Sequence, residues 1–288
     1  MTTDFDNLLT PDCPVLFWGP PGVGKTAAIE AYAHSRGIHI ETIIASIREP
    51  SDFLGLPISS LSALAQLVSQ HYRGEDLEVL AHKLEQLLER HRVVHMSIPD
   101  WAFRLIQAGG GILFFDELST APPANQAALL RIIHERMVGS VPLPRNTIFV
   151  AAANPPELAA GGWDLSPPLA NRFTHVEWKL DPQEWVAHFP HYWDRLSNPK
   201  QHEDPYFPGL DLQSWERARR LVASFIRHRP NLLFQMPDSE TLRSRAWPSP
   251  RTWDFASRKI ARLFQQNTNP SPDPVSYTHL TLPTIYSV

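Results

Sequence analysis

The sequence predicts an α/β fold, in which a five-stranded parallel sheet is sandwiched by helices and followed by a small, purely helical region. Two observations lead to this fold class. Five short runs are apolar throughout and alternate with stretches of helical character, which is typical of parallel strands covered on both faces. Strand signals then stop at Asp181, after which Trp, Pro and Arg become frequent. We therefore expect a sheet domain over residues 1–180 and a helical region over 181–274.

The individual elements follow from the pattern along the chain. A strand over 15–18 leads into a glycine-rich loop and then a helix over 27–36. Pro122 and Pro123 begin another helix, over 124–137, since proline in the first turn lacks only an N–H that has no helical partner. Each of these two helices is expected to end at a glycine. The other predicted strands cover 38–45, 111–115, 147–152 and 175–178, and the other predicted helices cover 214–227 and 251–264.

Residues 59–92 differ from the rest of the sheet domain. Leucines recur at helical spacing along 77–88 with charged residues on the other side, and Arg73 and Gly74 separate this stretch from an earlier helix. The pattern predicts a helical hairpin inserted into the sheet domain. Whether its leucine stripe packs on the sheet or contacts a partner stays open at this point.

Composition excludes several classes of protein. The 288 residues are 43% hydrophobic, enough for a core, and a formal net charge of −4 gives no overall attraction to nucleic-acid phosphates. Cys13 is the single cysteine, so no intramolecular disulfide forms. Neither an export signal nor an apolar run long enough to span a membrane is present, and we expect a cytoplasmic protein.

The last residues need separate treatment. Residues 275–284 resemble the translation of a sequencing-library adapter, and we expect 275–288 not to be native. On that interpretation the natural sequence is known only to Pro274 and the helical region is cut short. A natural tail rich in Ser and Thr is the alternative.

The first chemical motif is a complete phosphate-loop pattern between a predicted strand and a predicted helix. Glycines let successive backbone N–H groups converge on phosphate oxygens, and the helix N-terminus adds a partial positive charge. Lys25 would reach the β and γ phosphates, and the Thr26 hydroxyl would ligate Mg²⁺. The residues of this Walker A loop are Gly19, Pro20, Pro21, Gly22, Val23, Gly24, Lys25 and Thr26.

The second motif is a Walker B pair at the end of the predicted strand 111–115. Asp116 and Glu117 lie at the carboxyl end of that strand, which is the edge where open α/β sheets bind ligands. Asp116 would hold Mg²⁺ through water, while Glu117 would orient and deprotonate the attacking water. An acidic pair that only caps a helix is the alternative when this motif stands alone.

Three segments together resemble a MoxR-type AAA+ ATPase. They are residues 19–26, residues 116–130 and residues 151–156, and the resemblance extends over about 14–263. It implies the AAA+ P-loop NTPase fold, Mg-dependent hydrolysis of ATP, and assembly into a ring, usually a hexamer, with nucleotide between subunits. It also implies a protein client, with a von Willebrand factor A domain protein as the expected partner.

Three further site residues follow from this resemblance alone. Asn154 matches sensor 1, an amide that helps to position the attacking water. Arg172 matches the arginine finger, which would act on the neighbouring subunit's nucleotide, and Arg251 matches sensor 2 at the start of a lid helix. The alternatives are a surface amide and two ordinary salt-bridging arginines. The long insertion at 59–92 and the short lid depart from the family pattern.

Three functions remain open on the sequence. The first is an ATP-driven remodeller of a protein partner, and the second is a motor of the helicase or restriction type. Arg217, Arg219, Arg220, Arg227 and Arg229 form the best local basic patch, for which a solvated helix face or a subunit contact is preferred over nucleic acid. The third is an ATP switch without turnover, which Glu117 argues against because a switch needs no positioned base.

Overall fold

A computed structural model describes residues 5–58, 95–158, 163–190 and 211–266 of the chain. The expected helical insertion at 59–92 and the adapter-like tail at 275–288 lie outside these ranges. All five predicted sheet strands and both predicted helices of the C-terminal region lie inside them.

The central sheet has five parallel strands in the order β2-β5-β8-β1-β9. All five predicted strands are confirmed, with bounds that move by no more than two or three residues. Because β1 lies between β8 and β9, the chain order reverses beside β1, and such a switch point is where open α/β sheets bind ligands. The strands are β1 (Val15–Trp18), β2 (Ile40–Ile44), β5 (Gly111–Asp116), β8 (Thr147–Ala153) and β9 (Thr174–Glu177).

Two short antiparallel pairs accompany the sheet and were not predicted. The strands β3 (Pro57–Ile58) and β4 (His95–Met96) pair with each other, as do β6 (Met137–Val138) and β7 (Val141–Pro142). Strands of two residues are too short to show an apolar or alternating run, so the sequence carries no signal for them.

Helices cover the sheet, and their bounds agree with most of the predictions. The helix that follows β1 starts at Lys25, because Gly24 adopts a left-handed conformation and ends the loop. The helices of the sheet domain are Phe5–Leu8, Lys25–Arg36, Pro50–Leu54, Asp100–Gln107, Pro123–Glu135 and Pro167–Ala170. The helices after it are Pro182–His188, Leu212–His228, Glu240–Arg243 and Pro250–Gln266.

The predicted helix 124–137 is wrong at its C-terminus. It ends at Glu135, Arg136 turns the chain with a φ of 54°, and Met137 already belongs to β6. The Arg136 guanidinium donates hydrogen bonds to the carbonyl oxygens of Pro11 and Thr147, at 2.9 and 2.6 Å. These tertiary contacts hold a non-glycine residue in the left-handed region, which local sequence does not reveal.

The sheet is buried on both faces, which explains why its strands are apolar throughout. Along β5, Leu113 and Phe115 pack into the cluster beneath the helices Asp100–Gln107 and Pro123–Glu135. Ile112 and Phe114 point the other way, into the cluster formed with the helix after β1. Full burial of one such side chain stabilises the fold by about 1.5–3 kcal/mol.

In the described part of the chain after residue 180, all regular elements are helices, as predicted. The helix Leu212–His228 packs against both Pro250–Gln266 and Pro182–His188 around a separate apolar cluster. Trp253 lies in this cluster, and its indole N–H donates to the Leu232 carbonyl at 2.8 Å. The boundary at residue 180 stays a prediction.

Candidate nucleotide-binding site

The loop after β1 has the backbone shape that its glycines allow. Gly22 and Gly24 have φ values of 79° and 92°, in the left-handed region where a residue with a side chain would be strained. Gly19 is needed for a different reason, because a Cβ there would lie 2.8 Å from the Cβ of Trp178. The loop therefore folds tightly against the end of β9, and the helix Lys25–Arg36 begins directly after it.

Lys25 is the centre of the site. Its side chain is buried, and its Nζ donates to the carbonyl oxygens of Gly19 and Pro20, at 2.6 and 3.0 Å, and to Asn154 Oδ1, at 3.2 Å. Burial lowers the pKa of Lys25 to about 8, with the negative Asp116 acting against this shift and Arg251 adding to it. The ammonium is thus a poorly solvated positive charge. A bound anion would stabilise this protonated form.

A hydroxyl and a carboxylate meet beside this lysine. Thr26 Oγ1 donates to Asp116 Oδ2 at 2.6 Å, joining the loop helix to the end of β5. Both groups are oxygen donors, the class that Mg²⁺ prefers, so these two residues fit the predicted metal. Burial, with a smaller contribution from Asp116, raises the pKa of Glu30 one turn further along the helix. Asp116 therefore adds negative charge to this side of the site.

Glu117 follows β5 directly, and its backbone has an unusual conformation there. Its φ is 56°, in the left-handed region, which for a non-glycine residue must be stabilised by its surroundings. The Glu117 N–H donates to Asp116 Oδ1 at 2.9 Å, and the Ser46 hydroxyl donates to Glu117 Oε2 at 2.8 Å. The carboxylate is therefore oriented by a serine from the neighbouring strand end.

Ser46 belongs to a loop that is itself held in place by hydrogen bonds from the helix Pro123–Glu135. The buried Asn125 amide donates to the carbonyl oxygens of Ala45 and Arg48, at 3.0 and 2.7 Å, on both sides of Ser46. Ser46 and Asn125 were not predicted as site residues. For Ser46 one sequence signal was available, because it directly follows the predicted strand 38–45 and Asp116 directly follows the predicted strand 111–115.

Asn154 lies directly after β8, at the edge of the sheet where Lys25 lies. Its Oδ1 accepts from Lys25, and its backbone N–H donates to the buried Ser119 hydroxyl at 3.1 Å. Ser119, also missed, follows Glu117 by two residues, so it links the ends of β5 and β8. The structure thus joins Asn154 to Lys25, and its role as sensor 1 stays a prediction.

Arg251 comes to the loop from the C-terminal helical region. Its backbone N–H donates to the Gly22 carbonyl at 3.2 Å, and its positive charge contributes to the lowered pKa of Lys25. A Cβ at Gly22 would lie 3.2 Å from Ser249 Oγ, so the start of the helix Pro250–Gln266 is in close contact with the loop. The resemblance placed Arg251 here, and the structure brings it to the loop.

Arg172 is not brought to the site of its own chain. It follows the short helix Pro167–Ala170 and is exposed. Within the described part of the chain, no hydrogen bond joins its guanidinium to the loop 19–26. The role predicted for Arg172 at a neighbouring subunit stays a prediction.

Comparison with known proteins decides the family. Residues 15–179, more than half of the chain, match the ATPase family associated with various cellular activities (AAA). The chain belongs to the AAA family. The match begins at β1 and runs past β9, so it contains the loop 19–26, Asp116, Glu117, Asn154 and Arg172.

The similarity to a single curated protein is confined to a short stretch of the chain. A stretch of 55 residues is 49% identical to the Psp operon transcriptional activator of Escherichia coli (strain K12). It covers 18% of this chain and 17% of that protein, so the chain spans less than a fifth of this relative.

Two similar solved structures share low identity with the chain. A protein from Cytophaga hutchinsonii, provisionally described as an ATPase, is 18% identical with a TM-score of 0.40, covering 93% of this chain and 76% of that one. The RuvB Holliday junction branch migration motor of Thermotoga maritima is 15% identical with a TM-score of 0.42, covering 93% and 61%. Among the residues that the structure describes, no helix of this AAA protein is long and apolar enough to cross a membrane.

Proposed function

We propose that this AAA protein is a Mg-dependent ATPase of MoxR type, which hydrolyses ATP to ADP and phosphate. The observation that carries the proposal is the convergence of three strand ends on one point. Lys25 after β1, Asp116 at the end of β5 and Asn154 after β8 lie within one network, through Thr26 Oγ1 to Asp116 at 2.6 Å and Lys25 Nζ to Asn154 at 3.2 Å. Backbone N–H groups of the loop and the helix N-terminus add further affinity for phosphate.

Each residue has a separate task in the proposed reaction. Lys25 neutralises the β and γ phosphates, while Thr26 and Asp116 are the residues that would hold Mg²⁺, Asp116 through water. When bound, Mg²⁺ would offset the negative charge of the phosphates. Glu117 orients the attacking water and accepts its proton, and Asn154 holds that water in line with the γ-phosphorus.

Ring assembly, usually as a hexamer, is the second part of the proposal. Arg172 is exposed and away from the loop of its own chain, which supports a role at the nucleotide of a neighbouring subunit. An arginine supplied in trans offsets charge in the transition state and makes hydrolysis conditional on assembly. Arg251 would report the nucleotide to the C-terminal helices of its own chain.

The work performed by the ring is proposed from the MoxR resemblance. We propose remodelling of a protein client in the cytoplasm, with a von Willebrand factor A domain protein as the expected partner. Opening and closing between the sheet domain and the helix Pro250–Gln266 would transmit the reaction, since Arg251 and Ser249 contact the loop at Gly22.

Two variants test the proposed chemistry. Glu117→Gln should retain ATP binding and lose turnover by about 10²–10⁴-fold, because the amide does not accept a proton. Arg172→Ala should also retain nucleotide binding and lose turnover by about 10³-fold or more. The measurements are phosphate release under saturating ATP and the Kd of a fluorescent ADP. Full turnover by a monomeric Arg172→Ala protein would refute the ring mechanism.

A nucleic-acid motor is the alternative, and one observation favours it. Four of the five arginines in the predicted basic patch, Arg217, Arg220, Arg227 and Arg229, are exposed along one helix and its end. The fifth, Arg219, is buried against Asp254 and the ring of Phe189, so it belongs to the interior instead. Severalfold stimulation of ATPase turnover by duplex DNA, lost as salt is raised, would favour this motor over the remodeller.

A further inference from the structure

A chain of two side-chain hydrogen bonds joins the end of β1 to the turn that carries Arg172. The indole N–H of Trp18 donates to His175 Nδ1 at 2.9 Å. His175 Nε2 lies 2.9 Å from the carbonyl oxygen of Ala170, the last residue of the helix before Asn171 and Arg172. Trp18 immediately precedes Gly19, the first residue of the phosphate loop.

The donor and acceptor roles in this chain are determined by chemistry. An indole N–H only donates, so His175 Nδ1 must present its lone pair to Trp18. A carbonyl oxygen only accepts, so Nε2 must carry the proton that it donates to Ala170. Both ring nitrogens are therefore used by the neutral imidazole in a single tautomer. Phe or Leu at position 175 would break both bonds, and no other side chain has two nitrogens at this spacing in a rigid ring.

Buried residues on both sides of the turn pack into the core of the sheet domain. Leu169 and Phe173, on either side of the turn, are buried in the same cluster as Leu16, and Trp18 packs against that cluster. The side chains of Leu169 and Phe173 anchor the two ends of the turn. Between them, the Ala170 carbonyl accepts from His175 and also from the Phe173 N–H at 3.2 Å, and the Arg172 N–H donates to the Leu169 carbonyl at 3.1 Å.

We propose that His175 is a positioning residue for hydrolysis in the neighbouring subunit, because it holds the turn that presents Arg172 at a set distance from the strand ending at Trp18. The inference rests on the proposed function, in which Arg172 acts on the next subunit's nucleotide. His175 touches no nucleotide itself. It ties the loop that binds one ATP to the arginine that acts on another.

Turnover and nucleotide affinity separate this role from a general loss of structure. His175→Phe should lower kcat by about 10- to 100-fold, the size expected when a catalytic group is displaced by about 1 Å. The Kd for fluorescent ADP should stay within about twofold, since no residue of the loop 19–26 is altered. Trp18→Phe removes one of the two bonds and should lower kcat less, again without changing the Kd. His134→Phe, at an exposed histidine on the far helix Pro123–Glu135, is the matched control and should retain wild-type turnover.

Mixing subunits gives the decisive measurement on the full chain. Glu117→Gln and His175→Phe proteins, each with reduced turnover alone, are combined in equal amounts, and phosphate release is measured. Glu117→Gln subunits still carry a well-placed Arg172, so they should restore hydrolysis at the intact nucleotide sites of His175→Phe subunits. A mixture of Glu117→Gln with Arg172→Ala reports on the proposed function itself and should recover in the same way.

The two mixtures distinguish the possible failures. Recovery with Arg172→Ala but none with His175→Phe would overturn the inference, because the defect would then lie in the variant's own nucleotide site. Recovery with neither would show that Arg172 does not act in trans, and both the proposed function and the inference would fall. If His175→Phe does not fold, the same mixture is made with Trp18→Phe, and its failure to recover counts equally against the inference.

Discussion

The lowered pKa of Lys25 makes nucleotide affinity depend on pH in a range where most proteins show little change. The free protein loses the Lys25 proton at a pKa of about 8, because burial disfavours the ammonium. Bound phosphates raise this pKa, so above about pH 8 the complex holds a proton that the free protein has lost. The Kd must therefore rise with pH. The protonated fraction falls about 25-fold between about pH 7.5 and about pH 9.5, and the Kd should rise by that factor.

The assay is titration of the protein with fluorescent ADP at constant ionic strength across this pH range. Phosphate groups with a second pKa of about 6 are already ionised throughout this pH range, so titration of the ligand does not change the Kd with pH. Lys25→Arg is the matched control, because a guanidinium stays protonated and its Kd should be flat whatever its absolute value. A wild-type Kd that does not change, or an equal slope in Lys25→Arg, would refute the assignment of this proton to Lys25.

The remaining predictions concern the supports of the site and the sheet. Asn125→Ala removes two buried donors and leaves the Ala45 carbonyl without its partner, so thermal unfolding should show a loss of about 2–4 kcal/mol, together with reduced turnover as the Ser46 loop loosens. An unchanged melting temperature would show that this amide does not support the loop. Gly111→Ala should be far more destabilising than Gly37→Ala, since a Cβ at Gly111 would lie 2.2 Å from a backbone carbonyl oxygen and one at Gly37 meets nothing within 4 Å. Equal melting temperatures for this pair would contradict the packing at Gly111.

The sequence predicted the parts of the site that lie within a continuous motif. Gly19 to Thr26 and the pair Asp116 and Glu117 follow strands directly, so a local pattern specifies both the residues and their place at the sheet edge. Asn154 was found through resemblance, and the structure brings it to Lys25. Local pattern was enough here because the carboxyl ends of parallel strands meet at one edge.

The supporting residues could not be found in the same way. Ser46, Ser119 and Asn125 are single polar residues on three separate segments. Apart from the position of Ser46 after a predicted strand, nothing near them in sequence distinguishes them from surface serines and asparagines. Their contacts to Glu117, Asn154 and the Ser46 loop exist only once the strands are assembled. Hydrogen bonds between residues 30 to 80 positions apart leave no local period for sequence analysis to detect.

The five sheet strands, the phosphate loop and the Walker B pair could be predicted from the sequence, because each depends on interactions within a few residues. The strand order β2-β5-β8-β1-β9 and the contact of Arg251 with the loop emerge only in the folded chain. The tertiary structure also ended the helix Pro123–Glu135 two residues early, through the contacts of Arg136. The physical reason is the same in each case: local preferences of about 1 kcal/mol or less yield to burial and hydrogen bonds formed between distant segments.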